Sequence, residues 1–362
     1  MPLANRFANQ LEPAALIDAF LAHPPQDFTA WQTQGGILAF AADFYLLTTL
    51  DDALRRRIDA LPGRWWRRLL SPRTCFIGTT VSEYCLLPPA TPPAGIIADI
   101  KQQLAPRYPF LIIKDLPQQS PLLTQADNVR AAALMGAARA AGFVIVDGQA
   151  LAYVPIDFAS IDDYLARLSN QRRKDLRRKL RMQDRIAVSV VRSGDALFAD
   201  DAVIDEYYRL YTAVFAQSDT HFDLLTRPFF ASVLRDAAAG GVVFLYHCDG
   251  ELIGFNLCFI EGGNMIDKYV GFRYPVAREL NLYFVSWFVN LAYALEHGLK
   301  HYVAGWSDPE VKRALGASFT FTCHAVHVRN PLLRALLKPF ASLFERDAHV
   351  IGHADAGAGG DD

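Results

Sequence analysis

Apolar positions along this chain switch between a period of two and a period near 3.6, and the switches predict alternating strands and helices. Residues 252–260 (LIGFNLCFI) and 264–271 (NMIDKYVG) are β-rich runs joined by Glu261-Gly262-Gly263, a hairpin signal. Residues 281–297 (NLYFVSWFVNLAYALEH) are apolar nearly all round and stop before Gly298. That pattern predicts a helix buried on most sides, with glycine just past its end. A short strand at 301–304 and a turn running from Gly305 to Lys312 follow.

Upstream, helices are expected at 13–22 and 51–61, with a strand within 37–47. A stiff proline loop at 88–93 precedes a helix at 96–104 and a buried strand at 110–114 (FLIIK). An alanine-rich helix at 128–141 ends at Gly142, and strands follow at 143–146 and 153–158. Ser160 reads as an N-cap, with Asp162 and Asp163 in the first turn, where the helix dipole favours negative charge. That helix is expected to carry through Leu168 towards Arg185. A strand at 186–191, helices at 201–215 and 227–239, and a strand series from 242 to 328 complete the ordered part. This gives an N-terminal unit at 1–150, a C-terminal domain at 151–330, and an amphipathic helix with a Gly/Ala/Asp tail at 331–362.

Composition narrows the class. With 362 residues, two domains are expected, and 52% hydrophobic residues exclude a disordered chain. A net charge of −2 gives no global pull towards nucleic acid, and DNA is not expected as a partner. Five scattered cysteines without a CxxC pair fit reduced, buried residues in a cytoplasmic protein. There is no basic leader feeding an apolar core, and no unbroken apolar run of the length a spanning helix needs.

The blocks KYVGFRYP, EHGLKHYVAGWSDPEVKRALG and CHAVHVRNP, with FIGTTVSEY, FLIIKDLP and YLARLSNQRRKDLRRKLR upstream, resemble the FemAB-like proteins of peptidoglycan biosynthesis/recognition. These are relatives of the GNAT acyltransferase superfamily, including its Acetyltransf-6 branch. The likeness covers about residues 70–331, and its strongest positions are Gly305, Lys312, Gly316 and His324. It implies an α/β fold with a mixed sheet in one or two GNAT-like units. It also implies transfer of an acyl group from acyl-CoA or acetyl-CoA to an amine or hydroxyl, on a small molecule or a cell-envelope precursor. A variant of the same fold is an aminoacyl-tRNA-dependent ligase acting on a cell-wall precursor. A non-catalytic protein that recognises a glycan or lipid is the reading from another class.

Thioester chemistry asks for a phosphate cradle, a base for the acceptor and an acid for the leaving thiol. The loop 271–279 stands where a GNAT-like fold holds the donor pyrophosphate, with Arg273 and Arg278 as phosphate partners. Asp267 and Tyr269 lie two apart on one strand and are expected on one face as base and acid. Lys312 can neutralise a phosphate or a developing negative charge, and His324 is a further candidate base. His324 and His327 face opposite sides of a strand, so no metal site is expected. Seven cations occupy ten positions from Arg172 to Arg181, opposed only by Asp175, and Arg173 and Arg177 are candidate donor contacts. That charged face suits the phosphates of coenzyme A, of a tRNA backbone or of lipid headgroups. The runs 64–70 and 331–344 pair aromatics or leucines with cations, which admits peripheral membrane contact.

Overall fold

The computed structural model describes residues 6–45, 71–218 and 222–330. The helix expected at 51–61, the aromatic–cationic run at 64–70 and the segment 331–362 lie outside them. The chain divides into two compact units. One takes Leu11–Gln26 and Leu151–Phe319; the other takes residues 6–10, 27–150 and 320–330 of those described.

Helix α1 (Ala14–Ala22) belongs to the 151–319 unit. In the 27–150 unit, β1 (Thr29–Gln32), β2 (Leu38–Asp43) and β3 (Arg73–Ile77) form an antiparallel series. Helix α2 (Pro93–Gln103) then crosses over to β4 (Phe110–Pro117), which runs parallel to β3. A parallel pair needs such a crossover, since a tight turn can join only antiparallel neighbours. Helix α3 (Gln125–Ala140) starts at Thr124, whose hydroxyl accepts the Asp127 N–H at 3.1 Å. Isoleucines 96, 97 and 100 of α2 bury against Leu111 and Ile113 of β4.

Strand β5 (Val144–Pro155) is one strand, where two were expected at 143–146 and 153–158. Gly148 lets it run on: a Cβ there would stand 3.2 Å from His324 Nε2. The polar residues between the two apolar runs therefore stay extended instead of forming a loop.

In the 151–319 unit the expected single helix at 160–185 is two, α4 (Ile161–Ala166) and α5 (Asn170–Leu180). Ser160 Oγ accepts the Asp163 N–H at 3.1 Å, and Ser169 Oγ accepts the Arg172 N–H at 3.4 Å. The second serine starts a fresh helix, a competition with the first that periodicity alone does not reveal. Strand β6 (Ala187–Arg192), α6 (Asp201–Phe215) and α7 (Arg227–Arg235) follow. Helix α7 stops short of the expected 239, because Asp236 turns to accept the Ala238 N–H at 2.8 Å.

Strands β7 (Gly241–Cys248), β8 (Glu251–Glu261) and β9 (Asn264–Phe272) continue the antiparallel series from β6. The β8–β9 turn is made by Gly262 and Gly263, at φ 58° and 85°, the left-handed pair that a two-residue hairpin requires. Short α8 (Val276–Glu279) and long α9 (Leu282–Glu296) lead to β10 (His301–Gly305), parallel to β9. Helix α10 (Pro309–Ala314) and β11 (Ser318–Val328) close the described chain; from Thr320 onward β11 belongs to the 27–150 unit.

Helix α9 buries Val285, Trp287, Phe288 and Leu291 with Met265, Phe272, Phe244 and Tyr246 of the strands beneath. Helix α6 covers the opposite face. Gly271 opens space for it, since a Cβ there would lie 2.8 Å from Leu210 Cβ. Gly271→Ala is therefore expected to cost about 1–3 kcal/mol, read as a lower urea midpoint at unchanged m-value.

Candidate active site

The ladder between β9 and β10 runs from His301↔Asn264 to Val303↔Ile266 and ends there. Strand β9 continues to Phe272. Gly305 of β10 instead pairs with Ala152 of β5, after a shift of register. Burial follows the parting. Asn264, Met265 and Ile266 are buried, residues 267–270 are partly exposed, and Gly271 and Phe272 are buried again. A central strand thus meets solvent for four residues, beginning where its parallel neighbour leaves it.

Lys312 of α10 reaches back to this point. It is 4% exposed, and its Nζ donates to the Ala304 carbonyl at 2.6 Å and to Ser307 Oγ at 3.5 Å. A Cβ on Gly305 would stand 3.9 Å both from Lys312 Nζ and from the Asp267 carbonyl oxygen. The lysine and the Asp267 backbone of β9 therefore flank the same glycine, whose φ of 81° a side chain would strain.

Asp267 and Tyr269 do not share a face. Leu257 pairs with Tyr269 and Cys258 with Asp267, so Lys268 is an extra residue in β9. This β-bulge breaks the two-residue alternation on which the expectation rested. The Asp267 carboxylate faces α9, accepting from Asn256 Nδ2 at 2.6 Å, Tyr302 Oη at 2.6 Å and Asn290 Nδ2 at 3.3 Å. Tyr269 faces α6 and α7, its ring edge-on to Phe230, Phe229 and Tyr211 at 5.5, 5.8 and 6.4 Å. The bulged Lys268 itself pairs with Glu12 at 3.1 Å, the two side chains 7% and 0% exposed.

Burial, then the Asp267 charge, raises the Tyr302 hydroxyl well above its ordinary range, and the Cys258 thiol moves the same way. Both stay protonated, so Tyr302 meets the carboxylate as a donor. Tyr283, in the first turn of α9, also belongs to this neighbourhood. Its hydroxyl is buried without a hydrogen-bond partner, and its pKa is raised by burial first, then by Asp308 and Asp267. Sequence reading passed over it; its one signal was a tyrosine among apolar residues, two places past Asn281 at the head of a helix facing a strand carboxylate.

The candidate phosphate ligands are placed as follows. Arg273 spans Glu251 and Glu206, each at 2.8 Å. Arg278 hydrogen-bonds Gln217 and lies over the Tyr274 ring, 5.0 Å from its centre. Arg173 hydrogen-bonds Asn170, and Arg177 pairs with Asp162 at 3.0 Å. Lys179 sits 3.8 Å over the Phe284 ring, which fixes the end of α5 against the first turn of α9.

His324 lies in the 27–150 unit, whereas Lys312, Asp267 and Tyr269 lie in the other. Its Nδ1 accepts the Asp115 N–H at 3.0 Å, which places the ring proton of the neutral imidazole on Nε2. Burial lowers its pKa. The ring is therefore held as an N–H donor at Nε2, with the lone pair a base would use already engaged. His327 instead packs its ring against Phe143, tilted by 47° with ring centres 5.1 Å apart. Among the described residues no group of three or more His, Cys, Asp or Glu could hold a metal ion, and no helix is long and apolar enough to cross a membrane. The five cysteines are buried and unpaired, and burial pushes the Cys75, Cys85 and Cys323 thiols up to about 12.

Residues 118–353 match the family model of the FemAB-like proteins, described as peptidoglycan biosynthesis/recognition. The chain belongs to the FemAB-like family. Two solved structures share the fold of this FemAB-like protein. L-PGS from Bacillus licheniformis has a TM-score of 0.54 at 10% identity, covering 94% of this chain and 98% of its own. The C-terminal domain of a protein described as a lysylphosphatidylglycerol synthetase, from Agrobacterium fabrum, has 0.53 at 13% identity, covering 91% of both chains. FemX also matches, with a TM-score of 0.49 at 13% identity over 91% of this chain and 99% of its own. No curated protein matches the chain. The mixed α/β architecture expected from the sequence is the one observed.

Two outcomes check this geometry. Glu12→Gln or Lys268→Met alone leaves a buried charge without its partner and is expected to cost about 3–5 kcal/mol. The double variant is expected to recover part of that loss, measured by urea unfolding. For His324, nitrogen chemical shifts are expected to report the Nε2–H tautomer and a pKa below that of a free histidine. As pH falls through the ordinary histidine range, the unfolded chain takes up a proton that the folded site refuses, so this residue lowers stability towards acid.

Proposed function

We propose that this FemAB-like protein is a transferase that moves an acyl group from a phosphate-bearing carrier onto an amine or hydroxyl acceptor. The observation that carries the reading is the parting of β9 from β10 after Ile266, with Asp267 and Lys312 at its two sides. An extended thioester arm can enter beside β9 where the two strands part.

Asp267 takes the proton of the acceptor amine as the new C–N bond forms at the acyl carbon. The carbon–sulfur bond breaks, and the leaving thiolate takes a proton from Tyr283, whose raised pKa keeps it in the acid form. The Lys312 ammonium, anchored on the Ala304 carbonyl, offers positive charge to the carbonyl oxygen or to a donor phosphate. Tyr269, across the sheet from Asp267, shapes the α6/α7 side of the strand.

A second reading keeps this machinery and changes the donor to an aminoacyl-tRNA, with a cell-wall precursor as acceptor. It is favoured by Arg273 and Arg278, which are engaged with Glu206, Glu251 and Gln217 beside the loop that would hold a coenzyme A pyrophosphate. There the breaking bond is the carbon–oxygen bond of the aminoacyl ester.

Melting shifts with coenzyme A, acetyl-CoA, a long-chain acyl-CoA and bulk tRNA separate the donors. One class is expected to raise the melting temperature by several degrees, and Lys312→Ala is expected to remove that shift. With the donor so identified, Asp267→Asn is expected to lower kcat about 10²–10⁴-fold. No shift with any donor, or full turnover in both variants, would sink the proposal.

A further inference from the structure

Helix α5 and its helical C-cap Arg181 present Lys174, Arg177, Arg178 and Arg181 at spacings of three, four and seven, which puts all four on one exposed face about 10 Å long. Asp162 and Asp175 pair with Arg177 and Arg178, while Lys174 and Arg181 make no ion pair among the described residues. The stripe therefore keeps a net positive charge on a chain whose overall charge is −2. Its inner side is settled: Leu176 is buried and Lys179 stacks on Phe284.

Strand β6, next along the chain, brings an apolar counterpart. Val188 and Val190 are 36% and 45% exposed, among the few large apolar side chains in the described residues that are. They lie four and two positions before Arg192, whose guanidinium donates to Tyr293 Oη of α9 at 2.8 Å, so all three lie on the α9 face of the sheet. Register fixes their level. Val188 pairs with Tyr246, Tyr246 with Gly254, and Gly254 with Phe272. A Cβ on Gly254 would meet Leu282, the first residue of α9, at 2.8 Å. Val188 therefore stands level with the first turn of α9, the turn on which Lys179 fixes α5. Cations and exposed valines share one face and one end of the 151–319 unit.

We infer that this surface docks on a bilayer containing anionic phospholipid, the α5 cations over the headgroups and the β6 valines at the level of the first methylenes. Two features favour a bilayer over a nucleic acid. The outward stripe carries no aromatic ring on which a base could stack. Exposed valines gain from contact with acyl chains and gain nothing from phosphodiesters. The inference is independent of the transferase reading, because docking needs neither donor nor acceptor.

The test is co-sedimentation with phosphatidylcholine vesicles with and without a quarter phosphatidylglycerol, at low and high salt. Salt-sensitive binding to the anionic vesicles alone is expected. Lys174→Glu, Arg178→Glu and Arg181→Glu together are expected to weaken it on the order of a hundredfold, at about fivefold or slightly less per cation. Val188→Ser with Val190→Ser, which leaves the charge intact, is expected to weaken it several-fold, with thermal melts confirming that each variant folds. The inference is overturned by absent binding to anionic vesicles, by undiminished binding of the triple or the valine variant, or by a stripe that retains bulk tRNA and ignores vesicles.

Discussion

Two parallel strands can remain hydrogen-bonded, or they can separate and leave backbone groups to be satisfied elsewhere. In the 151–319 unit the separation comes after Ile266 and Val303, and most of the local structure answers it. An unpaired buried backbone group costs about 1–3 kcal/mol, and the Ala304 carbonyl, one residue past the ladder, receives the Lys312 ammonium instead. On the β9 side an extra residue, Lys268, changes which side chains face which way and is itself held by Glu12. The result is a carboxylate on one face, a cluster of aromatic rings around Tyr269 on the other, and a partly exposed stretch of β9 between buried ends.

The 27–150 unit contains a parallel pair of its own, β3 and β4, and treats it differently. The chain leaving β3 does not rise into a helix at once. Residues 79–87 are mostly buried, with the Cys85 N–H donating to the Asp115 carbonyl at 2.9 Å and Tyr84 Oη hydrogen-bonded to Ser120 and Thr320 at 2.7 Å each. Asp115 takes φ 55°, and Lys114 answers it with an ion pair and a bond to the Thr79 carbonyl. Here the space beside a parallel pair is filled with the protein's own polar groups, and the imidazole of His324 is consumed in the same arrangement.

What the sequence made legible was periodic or punctuated. The hairpin at Gly262-Gly263, the limits of α6 and the glycine closing α9 follow from local rules that tertiary contacts did not override. Side-chain direction at Asp267 was not legible, because a bulge inserts one residue without leaving a mark in composition; a lysine in a strand reads the same with or without it. The protonation form of His324 depends on an amide 209 positions earlier in the chain, and no local pattern carries that. Tyr283 was hidden for the opposite reason: in a helix this apolar, a tyrosine reads as one more core ring.

Membership of the two units does not follow chain order, and that bears on how the protein is made. Strand β4 pairs with β3 on one edge and with β11 on the other, and β11 is among the last described segments. A nascent chain emerging from the ribosome must hold an exposed β4 edge, an invitation to wrong pairing, while about two hundred further residues are synthesised. Vectorial, N-terminus-first completion is closed to it. The early unit can finish only after the later one has been translated.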